Sequence, residues 1–229
     1  MRGLITQVFT AASIAGAANA APWVRDDDGW YARALIAHDT LNGADGWRAD
    51  LYGEYGLTDN WTLTAKTEAV AYPGASEFNR EAYRLTLRRK LLVHDEWSVG
   101  VEAGPIYGGT TTGLNSCEGL GFETRGGLGY SGQLEGRAVY MFADAIYIQQ
   151  EDGCARRRAE IGYGSDLTDH VFLTQQVWLE SGDRSATSVK LENQIGLHLG
   201  AVDVSLGYRE EIGGEFEETA ILVALVARR

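Results

Sequence analysis

The sequence predicts an all-β fold, a single antiparallel up-and-down membrane-spanning β-barrel of about twelve strands. Two observations carry this: one-by-one alternation of apolar and polar residues that recurs to the end of the chain, and regular punctuation of that alternation by turn residues. Thr62 to Ala71 shows the alternation in miniature, with Leu63, Ala65, Thr67 and Ala69 on one face and Thr64, Lys66 and Glu68 on the other. A period of two is the signature of a strand. Because the charged face recurs while the opposite face stays apolar, the sheet has one face for grease and one for water, as a spanning barrel requires.

The first twenty residues stand apart. Met1-Arg2 gives a positive start, Leu4 to Ala17 is mostly small and apolar, and Ala18-Asn19-Ala20 fits a small-x-small cleavage site. Residues 1–20 are therefore expected to be a cleaved export signal and residues 21–229 the barrel domain. Nothing later in the chain approaches a helical span, so only a closed barrel could cross a bilayer, since open sheet edges leave backbone groups unpaired in hydrocarbon. The 29 glycines and 3 prolines of the 229 residues suit long, twisted strands. A net charge of −12 argues against nucleic acid as a partner.

The expected strands run from Trp30 to His38, Trp47 to Gly56, Trp61 to Ala71, Ala82 to Leu92, Trp97 to Tyr107, Leu120 to Tyr130, Arg137 to Gln149, Ala155 to Tyr163, Val171 to Glu180, Thr187 to Leu199, Val202 to Arg209 and Thr219 to Ala227. Tight turns are expected at Thr58-Asp59-Asn60, His94-Asp95-Glu96, Ser131-Gly132-Gln133, Asp166 to Asp169 and Gly200-Ala201. Longer links are expected at Thr40 to Gly46, Pro73 to Arg80, Gly108 to Gly119, Gln150 to Gly153, Ser181 to Ser185 and Glu210 to Glu218. Tight and long connections alternate, which places the tight turns on the periplasmic side and the long links outside.

Parity then sorts the side chains. The outward set includes Trp47, Leu51 and Tyr55, Tyr83, Leu85 and Leu87, Val99 and Val101, Met141, Leu206, and Ile221, Val223 and Leu225. Trp30, Trp61, Trp97, Tyr107, Tyr130, Tyr147, Tyr163 and Tyr208 join Trp47 and Tyr55 at strand ends, where amphipathic rings favour the head-group level. The expected lumen lining is Arg48, Asp50, Lys66, Glu68, Arg84, Arg88, Glu102, Glu123, Arg125, Arg156, Arg158, Glu160, Lys190 and Glu192. Both signs occur in comparable number there, so the walls are expected to be near neutral and the rims acidic. The face of Val171 to Glu180 stays open, because Gln175 and Gln176 put an amide on either side. Ala220, Leu222, Ala224 and Val226 form an apolar inner strip, against which the acidic lead-in before Gly29 or an apolar solute group would pack.

Cys117 and Cys154 are an even pair in an exported chain and are expected to form a disulfide between two external links. The chain-entropy treatment gives such a closure on the order of 3 to 4 kcal/mol. His38, His94, His170 and His198 show no metal-ligand spacing, and no nucleophile elbow, phosphate loop or metal motif is present, so neither a metal nor another cofactor is expected. His38 beside Asp39 is the first candidate for rim chemistry, with Thr110, Thr111 or Thr112 as hydroxyl partners.

The leader ending in Ala18-Asn19-Ala20, the two-faced strands, the aromatic strand ends and the phrase Tyr55-Gly56-Leu57-Thr58-Asp59-Asn60-Trp61 together resemble the Gram-negative outer-membrane β-barrel proteins, of the porin-like or small-solute channel class. The resemblance implies residence in the outer membrane, contact with its lipid, a monomeric barrel and passive passage of small hydrophilic solutes. Arginine-lined walls occur among such channels, and Arg84, Arg88, Arg156 and Arg158 match that loosely. One departure is the ending Ala227-Arg228-Arg229, where members commonly carry an aromatic residue. Two other readings stay open: a structural or surface-interaction barrel whose lumen is closed by cross-strand ion pairs, and an outer-membrane enzyme acting on lipid or peptide at the rim. A soluble lipocalin-like barrel would need the two faces reversed.

Overall fold

A computed structural model describes residues 22–109, 117–184 and 187–229. Among them lie twelve strands: β1 (Trp30–Leu41), β2 (Ala44–Thr58), β3 (Trp61–Ala71), β4 (Arg80–His94), β5 (Trp97–Gly108), β6 (Leu120–Leu134), β7 (Arg137–Gln150), β8 (Ala155–Asp166), β9 (Val171–Gly182), β10 (Ser188–His198), β11 (Val202–Gly214) and β12 (Glu218–Arg228). Each pairs antiparallel with the next, and β12 returns to pair with β1, closing the barrel. Closure is completed at the chain end by reciprocal backbone hydrogen bonds between Trp30 and Arg229 (3.1 and 3.0 Å). Every strand thus has two bonded neighbours, and no edge faces hydrocarbon.

The parity reading resolves into an apolar belt. Leu51, Tyr83, Leu85, Met141, Leu206, Ile221, Val223 and Leu225 all project outward and are exposed. The open case, β9, is settled by Phe172, Thr174, Gln176 and Trp178, which are buried inward. Gln175 faces out and donates to Asn193 on β10 (2.7 Å), so two amides on the outer surface satisfy part of each other's need. In β4 the register shifts between Lys90 and Leu92, and this bulge explains why Leu91, Leu92 and Val93 are exposed in succession where strict alternation would bury one of them.

Two connections differ from the sequence reading. The link expected over Thr40 to Gly46 is a two-residue turn at the outer end, Asn42-Gly43, with φ of 49° and 81°. Positive φ at both central residues is the hairpin turn whose twist matches the strands, and Asn-Gly adopts it at little cost. The alternation of tight and long links therefore fails at this hairpin. The turn expected at Ser131-Gly132-Gln133 lies later, at Glu135-Gly136 (φ 52° and 78°), because β6 remains paired with β7 as far as Leu134 and Arg137. Several strands also run beyond their expected ends, most of all β11, which continues to Gly214.

The outer end is partly capped. Leu41, Val70 and Tyr72 pack with Phe78 and Phe216, bringing the β3–β4 and β11–β12 links together over one side of the mouth. Cys117 and Cys154 are disulfide-bonded with Cα atoms 5.6 Å apart, tying the β5–β6 and β7–β8 links. The apolar inner strip of β12 is filled by β1: Ala220, Leu222 and Ala224 pack against Leu35 and Ala37, all buried. The lead-in does enter the lumen, but it packs elsewhere, with Trp23 against Tyr140 and Phe142 of β7.

The belt yields a quantitative expectation. Val223 is 47% exposed near the centre of β12, so Val223→Arg should lower the stability of the lipid-embedded barrel by about 2–4 kcal/mol, measured by reversible denaturant unfolding in vesicles. An unchanged unfolding midpoint would place that face out of the bilayer.

Candidate functional site: the charged lumen

The inward faces of a closed barrel bring charges from strands distant in sequence within bonding distance of one another. Arginine dominates because its rigid fork serves several carboxylates at once. Three arginines organise the interior. Arg48 reaches Asp39 (2.7 Å), Glu68 (3.1 Å) and Glu218 (3.1 Å), so it joins β1, β3 and β12 from its place on β2. Arg125 on β6 reaches Glu160 (3.0 Å), Asp144 (3.2 Å) and Glu123 (3.4 Å). Arg88 on β4 reaches Glu54 and Glu102, each at 2.8 Å, and its guanidinium also donates to the Tyr52 hydroxyl (3.0 Å).

Smaller pairs fill the space between these hubs. Arg33 meets Asp50 (2.8 Å), which also meets Lys66 (2.8 Å). Arg84 meets Glu123 (3.0 Å), Arg158 meets Glu160 (2.7 Å), Arg156 meets Glu180 (2.9 Å), and Arg209 meets Glu192 (2.6 Å). Lys190 bonds Glu218. The Thr64 and Thr86 hydroxyls complete the shell of Glu102. A charge so enclosed requires paired, hydrogen-bonded partners, because the low-dielectric interior makes an unpaired one expensive.

These networks divide the lumen by depth. Toward the outer end lies a cavity of about 230 Å³. Eleven of the expected lining residues border it: Arg48, Asp50, Lys66, Glu68, Arg84, Glu123, Arg125, Arg156, Arg158, Glu160 and Lys190. Arg88, Glu102 and Glu192 do not; they are buried in ion pairs away from the cavity. In all, ten arginine and lysine side chains but six carboxylates border the cavity, so its wall is basic where a near-neutral wall is expected from strand composition. The reason is that several carboxylates lie outside the lining. Asp39, Glu54, Glu102, Asp144, Glu192 and Glu218 all bond inward-facing bases but lie outside the cavity lining.

Sequence parity alone missed several of these groups. Arg33 and Asp39 alternate inward along β1. Arg80, Glu211 and Glu218 sit at strand ends that the sequence reading assigned to links. Glu180 and Trp178 belong to β9, whose faces were undecided. The Trp178 ring lies beneath two guanidiniums, those of Arg209 (5.1 Å) and Arg158 (5.8 Å), at the cavity wall.

No metal-binding group of three or more His, Cys, Asp or Glu side chains occurs among the described residues. His38 points outward against Trp47, with ring centroids 5.1 Å apart, and its Nε2 is 3.9 Å from Asp45. Its proposed hydroxyl partners Thr110, Thr111 and Thr112 lie outside the described residues. His198 sits at the tight-turn end of the barrel between Asp203 (2.7 Å) and Asp166 (3.2 Å), pinning the ends of β8, β10 and β11 together.

No family model matches the chain, and no curated protein sequence matches it. Solved structures do resemble it. The NanC porin aligns with a TM-score of 0.61 at 11% identity, over 86% of this chain and 99% of that one. The COG4313 outer membrane channel from Pseudomonas putida F1 aligns at 0.55 and 14% identity, over 90% and 97%. The β domain of the Bordetella autotransporter BrkA aligns at 0.55 and 12% identity, over 88% and 99%. The architecture is that of outer-membrane porin-like barrels, and at these identities the likeness extends to fold alone.

Proposed function

We propose that this barrel is a monomer of the outer membrane that passively conducts small hydrophilic solutes, with preference for solutes rich in negative charge or hydrogen-bond acceptors. The observation that carries this reading is the outer cavity with its ten basic and six acidic side chains. A barrel kept only as a structural shell would gain most from pairing those charges off, or from replacing them with apolar packing. Here bases remain in excess around empty volume. Unused hydrogen-bonding capacity points the same way: buried guanidinium N–H groups of Arg33, Arg80, Arg125, Arg156 and Arg158 and the Trp178 indole N–H have no hydrogen-bond partner, whereas the one such wall carboxylate oxygen, on Glu211, lies 3.9 Å from the Lys190 ammonium. A donor-rich wall favours water and acceptor-rich solutes. A barrel of this strand number lies between those filled by side chains and those holding wide channels, in keeping with a narrow path.

The layer built on Arg88 supports the second reading, a lumen closed by ion pairs, for the periplasmic half only. Both readings then apply to one molecule at different depths.

Reversal potentials in planar bilayers under a salt gradient test the proposal. The wild-type barrel is expected to favour anions, and Lys66→Gln, Arg158→Gln and Lys190→Gln together, which remove three of the four excess positive charges, should bring the permeability ratio close to unity. Cation preference in the wild type, or a ratio unmoved by the triple change, would overturn it. The inner layer gives a separate expectation. Glu102→Gln leaves the buried Arg88 guanidinium short of a carboxylate and should destabilise the barrel by about 3–5 kcal/mol in vesicle unfolding titrations, whereas Arg158→Gln, at a side chain 32% exposed to the cavity, should cost under about 1 kcal/mol.

A further inference from the structure

We propose that residues 22–28 are a displaceable plug that gates the periplasmic mouth; the inference rests on the channel reading above. The segment lies inside the barrel, against its inner wall. Trp23 packs edge-on against Tyr140 (centroids 6.0 Å) and Phe142 (6.4 Å), and its carbonyl accepts a hydrogen bond from Arg88 (2.9 Å). The Arg25 backbone N–H donates to the Thr62 hydroxyl (2.7 Å), while its side chain pairs with Glu54 and covers the Tyr31 ring at 4.7 Å.

The wall is shaped to receive this segment. Pro22 and Trp23 rest on inward-facing glycines: a Cβ added to Gly100 would stand 2.5 Å from the Pro22 carbonyl oxygen, and one added to Gly129 would stand 2.6 Å from the Trp23 indole. Glycine in a strand interior weakens the strand and commonly marks close approach of another group.

The same contacts are arranged for release. The segment adds no strand to the sheet; at its neck Asp28 donates to the Gly56 carbonyl (3.1 Å) and Gly29 to the Asp26 carbonyl (2.9 Å), a tight reversal with Asp28 at φ 58°. Wall groups that the segment engages keep partners without it. Glu54 retains Arg88 and the Tyr52 hydroxyl, and Arg88 retains Glu54 and Glu102. Withdrawal therefore strands no buried charge, in contrast with the loss of Glu102. The exposed Asp26, Asp27 and Asp28 keep the neck in water at the rim, so the hinge is solvated in both positions.

Ser98 gives a reporter that does not depend on conduction. It pairs with Gly129, is 5% exposed, and its hydroxyl has no hydrogen-bond partner, so Ser98→Cys is a near-isosteric probe beside the seat of the plug. In the full chain with its Cys117–Cys154 disulfide intact, the rate of modification by a small charged methanethiosulfonate is measured together with single-channel conductance. Two changes unseat the plug from opposite sides: Trp23→Ala with Arg25→Ala, and Gly129→Val, whose side chain needs the space of the indole. Neither removes a member of the three arginine hubs, since Arg25 touches the Arg88 hub only through Glu54, which keeps Arg88, and folding is verified by the gel shift of the unboiled barrel. Each is expected to raise the labelling rate at least about tenfold and to raise conductance several-fold. Unchanged labelling in either folded variant overturns the plug, whatever the current does. Faster labelling with no current in any variant keeps the plug and overturns the channel.

Discussion

Every feature of this chain follows from the need to leave no backbone hydrogen bond unmade in hydrocarbon. A sheet meets that need only by closing on itself, and here the pairing of β12 with β1, extended to Arg229 and Trp30, achieves it. Closure then dictates the chemistry of the side chains. Alternate residues must face lipid and be apolar, and their neighbours must face a confined interior. In that confined interior most inward charges are met by charges. The arginine hubs are thus a consequence of closure, and they cross-link strands that the ladder does not join, as Arg48 does in reaching Glu218 from β2.

Much of this was legible in the sequence because membrane and lumen impose opposite demands at a spacing of one residue. In β2, β6 and β8 the charges fall on one parity through the strand centre, so face and neighbour could be read directly. Legibility failed where that contrast was missing. Gln175 and Gln176 give β9 no polarity, and only the inward burial of Phe172 and Trp178 fixes its register. Terminal charges such as Arg80 and Glu218 looked like loop residues because a strand that rises past the bilayer no longer needs an apolar outer face. The Asn42-Gly43 turn was present as a turn signal but was absorbed into a longer polar stretch.

The lead-in was the least legible element. Pro22 to Asp28 has no period, and its partners are glycines, whose lack of a side chain carries no polarity. Gly100, Gly127 and Gly129 occupy inward positions in β5 and β6 where charged or large residues would otherwise be expected. An inward run of glycine is the sequence trace of something lying against the wall, but it becomes readable only once the occupant is known.

Position in the lumen sorts the charge balance, and this bears on how the closed and conducting regions of the proposed channel would coexist. Carboxylates that bond an arginine from behind add to its fixation without adding to the surface a solute meets. Arg48 illustrates this: Asp39 and Glu218 hold it from outside the cavity lining, while the guanidinium itself borders the cavity. Arg125 is held in the same way by Asp144. A chain that is acidic overall thereby keeps a basic cavity wall, because part of the neutralising charge, on Asp39, Asp144, Glu192 and Glu218, lies outside the lining. On the proposed channel reading, a solute entering from outside would meet the exposed side of these pairs, whose field is positive at short range and falls off beyond them. Below that level Arg88 keeps both its carboxylates, Glu54 and Glu102, within its own layer, and the N-terminal segment lies beside it through the Trp23 carbonyl. In the channel proposed above, selectivity and closure would thus be separated along one axis by where Arg48 and Arg88 keep their counter-charges.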